Sequence, residues 1–139
     1  MGHTMTKLFL GAACALALGL TTTSALAQTG CPAGTSMTTI RTSTLKSPAM
    51  KADFDKAVQD HVKWYREHGY KADIFSVGQS IESKDGKTFG PSATAIITVH
   101  ANSTYVPDKD HDAAWKAYVA EYRASSDITH ETYSCMAMK

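Results

Sequence analysis

From Met37 onward the apolar positions of the chain switch repeatedly between a period of two and a helical period, and the switches divide it into six elements. Met37–Lys46 (MTTIRTSTLK) sets Ile40 and Leu45 among threonines, a composition suited to a half-buried pleated surface, and reads as a first strand. Ser47-Pro48 then supplies a cap residue followed by a proline where a helix can begin. Met50, Phe54, Ala57, Val58, Val62 and Tyr65 recur at helical spacing until Gly69 stops the run. Lys71–Glu82 returns to alternation, with Phe75, Val77 and Ile81 on one side and Ile74, Ser76 and Ser80 on the other. Asp85-Gly86 is a hairpin turn signal, so the strand after it runs antiparallel to the one before.

That next strand, Ala93–Ala101, has the clearest pattern: Ala95, Ile97 and Val99 share one face, Thr94, Ile96, Thr98 and His100 the other. After the Asn102–Pro107 loop, Asp108, Asp110 and Asp112 complement the N-terminal end of a second helix, which Trp115, Tyr118, Val119 and Tyr122 continue as an amphipathic stripe. His130–Met138 reads as a last short strand. Strand, helix, strand, strand, helix, strand predicts an α+β ferredoxin-like βαββαβ sandwich. Its four-stranded antiparallel sheet has the order 4-1-3-2, with both helices on one face. The other face, expected to carry Thr94, Ile96 and Thr98 with Ile40 or Ile74, would need a cover, and a second copy of the chain is the simplest one.

The cysteines bear on this topology. In that strand order the residues before the first strand lie beside the end of the fourth, and Cys31 and Cys135 occupy those two places, so a disulfide between them is expected. The third cysteine, Cys14, lies in a segment of another kind. Lys7 precedes a short apolar run from Leu8 to Leu20, and Ala25-Leu26-Ala27 presents small residues where a signal peptidase reads. The expectation is a signal peptide over residues 1–27, a mature chain from Gln28 forming one domain over 28–139, and a periplasmic or secreted location.

Charge excludes two partner classes. Without Lys7 the basic residues equal the 13 acidic ones, whereas nucleic-acid and polybasic membrane contacts need concentrated Lys and Arg. Neither partner is expected.

The first helix and its exit, FDKAVQDHVKWYREHGYKADIFSVGQSI (Phe54–Ile81), and the passage IITVHANSTYVPDKDHDAAWKAY (Ile96–Tyr118) resemble the dimeric α/β-barrel superfamily, which includes NIPSNAP-like proteins, small antibiotic-biosynthesis monooxygenases and polyketide cyclases. The resemblance is one of pattern over nearly all of the mature chain, without an invariant motif. It implies a homodimer in which two sheets pair face to face, and a small-molecule cavity between helices and sheet. It selects no reaction.

Candidate chemistry rests on histidines and aromatics. His61 falls on the apolar stripe of the first helix, where a buried imidazole needs partners for its nitrogens and could act as a base or ligand. The alternative is a core histidine bonded to a tyrosine or a backbone carbonyl. His100 closes the third strand and His111 opens the second helix, so both could border one cavity mouth. Trp64, Tyr65, Trp115 and Tyr118 are candidate ligand-binding aromatics, with a helical core stripe as the competing reading.

No HxxxH or Cys/His cluster is present, so no metal site is expected. No cofactor is expected: CxxCH, Gly-rich phosphate loops and GxSxG are absent, although non-covalent haem, found in relatives of this kind, stays open. Three classes of function follow. The first is an exported small-molecule-binding protein without a recognisable catalytic motif. The second is a cofactor-independent cyclase, isomerase or monooxygenase using a histidine base on a phenolic or polyketide-like compound. The third is a protein-interaction module.

Overall fold

A computed structural model describes residues 30–137. The leader, Cys14 and Met138 lie outside the described residues. The strands are β1 (Ser36–Leu45), β2 (Ile74–Ser83), β3 (Phe89–Ala101) and β4 (Ser126–Met136), and the helices are α1 (Lys51–Glu67) and α2 (Ala113–Ser125). They form one antiparallel sheet in the order β2-β3-β1-β4, with the two helices packed together on one face. This is the expected ferredoxin-like α+β fold. Cys31 and Cys135 are disulfide-bonded, their Cα atoms 5.5 Å apart, beside the pairing of Met37 with Cys135.

Helix ends show why the elements fall where they do. α1 follows a short 3-10 turn at Pro48–Met50 and ends in a full glycine cap. Gly69 takes φ +88°, its N–H bonds to Arg66 O, and Tyr70 N–H reaches back to Tyr65 O at 2.9 Å, while the Tyr65 and Tyr70 rings pack 5.3 Å apart. α2 has no glycine at its end and needs no loop. The hydroxyls of Ser125 and Ser126 donate to the carbonyls of Glu121 and Tyr122, and the chain turns straight into β4 at Ser126. The last strand therefore begins four residues before the expected His130, which lies within it and is exposed.

One expectation about the sheet is overturned. Ile96 is not on an open face: it is fully buried with Leu45 and Phe54 under the helices. The register Thr39↔His100, Arg41↔Thr98, Ser43↔Ile96 puts Thr94, Ile96, Thr98 and His100 on the helix side. The outer face instead carries Ala95, Ile97 and Val99 of β3, with Ile40 and Ile74 as expected. Alternation fixes which residues share a face, but not which face the helices take.

Candidate functional site

Between the helices and the sheet lies a cavity of about 280 Å³. α1 contributes Phe54, Val58, His61 and Tyr65, α2 contributes Trp115, Tyr118 and Tyr122, and the sheet contributes Thr39, Arg41, Ser43, Phe75, Thr98 and His100. The sequence of β1 explains the polar floor: its inward positions at the cavity are Thr39, Arg41 and Ser43, and apolar packing resumes only at Leu45.

His61 is 8% exposed and sits in an aromatic box. Tyr118 stacks on it at 4.7 Å, and Tyr65, Phe75 and His100 meet it edge-on at 5.1, 4.8 and 5.6 Å. Its Nδ1 lies 3.3 Å from the Tyr122 hydroxyl. Burial, reinforced by the positive fields of His100 and Arg41, lowers its pKa to about 3, so the imidazole is neutral at physiological pH. Burial likewise pushes the Tyr65, Tyr118 and Tyr122 phenols up, keeping them protonated donors.

His100 is held differently. Its Nε2 lies 2.7 Å from Oδ1 of Asp73, a residue 1% exposed just before β2. Thr104 N–H donates to the same oxygen at 3.0 Å, and Thr104 Oγ1 to Oδ2 at 3.1 Å. A carboxylate accepts, so Nε2 is the donor in this bond and the ring orientation is fixed by it. Phe75 stacks on the ring at 4.0 Å. Asp73 is itself placed by Arg66, whose guanidinium donates to the carbonyls of Tyr70, Lys71 and Asp73 and fixes the chain between the α1 cap and β2.

The structure thus brings together His61, His100, Tyr65, Trp115 and Tyr118 of the expected residues. It does not bring in His111 or Trp64. His111 stacks on Trp115 at 4.1 Å with Nε2 3.2 Å from Val106 O, at a separate surface groove. Trp64 turns away from the cavity because its indole N–H donates to Asp112 at 2.8 Å. That carboxylate also accepts from Trp115 N–H as the α2 cap and lies 3.2 Å from His68 Nε2, and these bonds hold its pKa below the usual range, the Trp115 backbone bond foremost. Asp73, Arg41, Phe75 and Tyr122 were not among the expected site residues. Asp73 has no local signal, since its contacts come from residues 27 and 31 positions away.

Among the described residues no group of three or more His, Cys, Asp and Glu side chains converges as a metal site. No described helix is long and apolar enough to cross a membrane.

The strand order and the helix-covered cleft define a ferredoxin-like α+β sandwich with a cavity between its layers. No family model matches the chain, and no curated protein matches it. Among solved structures it is similar to HapK from Hahella chejuensis, at 14% identity and a TM-score of 0.48, covering 70% of this chain and 90% of that one.

Proposed function

We propose that this is an exported protein that binds a small molecule in the cleft between its helices and its sheet. The observation that carries the reading is the cavity itself. Ligand sites are concave clefts lined mostly by apolar and aromatic groups with a few placed polar ones, and a space of about 280 Å³ ringed by aromatics over a polar floor has that form. The leader pattern and the disulfide support export, because disulfides persist in oxidising compartments. The aliphatic outer face of the sheet supports a homodimer. The test is native mass spectrometry of the protein purified from the periplasm, together with His61→Ala. A retained small molecule, lost in a variant that keeps its fold, is expected. A wild-type protein that carries no small molecule and takes up none from a panel of compact aromatic compounds would end the reading.

A second reading, proton transfer by a cofactor-independent enzyme, is favoured by the Asp73–His100 pair. A carboxylate that orients an imidazole strengthens it as a general base, and the neutral His61 next to it adds a second acceptor. Such an enzyme would exchange the acidic C–H between the carbonyls of a bound polyketide-like compound with D2O. Loss of exchange in His100→Ala, with the compound still bound, is the expected result. Exchange at the uncatalysed rate in the wild type removes this reading and leaves binding intact.

A further inference from the structure

A groove of about 540 Å³ runs along α2, and no residue of α1 takes part in it. Trp115 and Val119 form its apolar wall, and Lys116 and Arg123 stand at either side of Ala120. Those two cations are seven residues apart, two helical turns or about 10 Å along the axis. The small Ala120 between them leaves the space that a longer side chain would fill. The groove is continuous with the cavity, because Trp115, Val119 and Arg123 line both. Arg123 and Ile128, the latter 59% exposed, are cavity-lining residues that reach solvent, so the cavity opens on this side.

The charges of the two helices are arranged differently. Every cation of α1 is engaged: Lys51 with Asp55, Lys56 with Asp60 and Glu121, Lys63 with Glu67, and Arg66 with three backbone carbonyls. The two cations of α2, Lys116 and Arg123, have no side-chain partner among the described residues. Glu121, the carboxylate of the same helix, is turned the other way, to Lys56. No carboxylate lines the groove, and Asp108 touches its rim at the end opposite Arg123, 3.6 Å from His111 Nδ1. Lys46 adds a third positive charge at the Arg123 end, where its ammonium donates to the Arg123 carbonyl.

We propose that the ligand site extends out of the cleft, and that the groove along α2 holds a phosphate-bearing tail of the molecule whose body lies between the helices and the sheet. This rests on the cleft being the ligand site. Two free cations and no carboxylate call for a group of about two negative charges, which a phosphate monoester carries above its second pKa of about 6. Arg123 offers its guanidinium fork to two phosphate oxygens and Lys116 a mobile point charge to the third. The wall shared through Trp115 and Val119 gives the linker between body and tail an apolar path out of the cavity.

The experiment titrates 3-phenylpropyl phosphate, 3-phenylpropanol and inorganic phosphate into the purified protein by calorimetry at pH 8. The ester is expected to bind at least tenfold tighter than either the alcohol or inorganic phosphate, and added salt should weaken the ester alone. Lys116→Gln should remove several-fold of the preference for the ester and Lys116→Glu all of it. The affinity for the alcohol should not change in either, because Lys116 lines the groove and not the cavity. Arg123→Gln should also weaken the ester more than the alcohol. Both side chains are exposed, so the variants are expected to fold, which circular dichroism checks. Equal affinities for ester and alcohol, or a preference that survives Lys116→Glu, overturn the tail site while leaving the cleft a binding site. Inorganic phosphate that binds as tightly as the ester overturns the link between groove and cleft. Binding of neither the ester nor the alcohol overturns both the tail site and the cleft.

Discussion

His100 Nε2 and Asp73 Oδ1 are 2.7 Å apart, and this bond joins the end of β3 to the residue that leads into β2 from inside the protein. Asp73 serves three donors there, the His100 ring and the backbone and hydroxyl of Thr104. Removing it leaves all three without that acceptor, with the His100 ring buried. Asp73→Ala is therefore expected to cost about 1–3 kcal/mol, the usual loss when buried donors are left without their acceptor. Urea unfolding measures it, and a loss below about 1 kcal/mol would mean that the carboxylate does not organise this end of the cleft.

His61 makes stability depend on pH in a definite direction. Its pKa is lowered from 6.5 to about 3 in the folded state, chiefly by burial. Between those values the unfolded chain takes up a proton that the native chain does not. Its contribution is complete above pH 6.5 and is lost as the pH falls toward 3, at up to about 1.4 kcal/mol per pH unit. Asp112 and Glu131, whose carboxyls are also lowered, lose stability in acid as well, so the informative quantity is the difference from His61→Phe. The variant should show a shallower slope between pH 6.5 and 4, and parallel curves would rule out a neutral buried imidazole.

The order of the elements was legible because each change of hydrophobic period coincides with a capping or turn residue: Ser47-Pro48, Gly69, Asp85-Gly86, Asp112. The ends of the fold were legible because Cys31 and Cys135 report adjacency across 104 positions. The start of β4 was not, because Ser125 and Ser126 close α2 with their own hydroxyls where a glycine and a loop would ordinarily stand. The faces of β3 were read the wrong way round for an instructive reason. Ala95, Ile97 and Val99 form the more apolar set and would normally go inside, yet Thr94, Ile96, Thr98 and His100 do, because the layer under the helices encloses a partly polar cavity. Only His61, a polar residue on an apolar stripe, announced that cavity locally. Asp73 and Arg41 join it through register and through the Arg66 clamp, which no short window of sequence contains.

Tyr118 carries a stability penalty that a single atom can relieve. Its hydroxyl is buried with no partner, a situation that costs about 1–3 kcal/mol. Tyr118→Phe keeps the ring that stacks on His61 and removes the orphan group. Thermal denaturation of the ligand-free protein should show the variant at least as stable as the wild type. A clear fall in Tm would mean that the hydroxyl has a protein partner.

The disulfide ties the beginning of β1 to the end of β4, so it closes nearly the whole described chain into a loop. By the chain-entropy argument a loop of this length is worth about 4–5 kcal/mol. Cys31→Ser/Cys135→Ser is expected to lose most of that in urea unfolding while keeping the cleft, whose walls come from α1, α2 and the middle of the sheet. Ligand uptake by the double variant under native conditions separates the two effects, and loss of binding without loss of folding would show that the staple shapes the site.

The outer sheet face gives the last test. Ile40, Ile74, Ile97 and Val99 lie there as an aliphatic surface, with Ile74 42% exposed in the single chain, on the side away from both helices. A surface of this kind is usually covered in solution, and two copies pairing sheet to sheet would cover it with one self-complementary contact. Light scattering on the native protein should then give twice the mass of one chain. Ile97→Lys, which puts a charge in the middle of that face without touching the helix-side core, should give a folded single chain. A native protein already of single-chain mass would dispose of the dimer, and the cavity, lined by residues of one chain, would stand regardless.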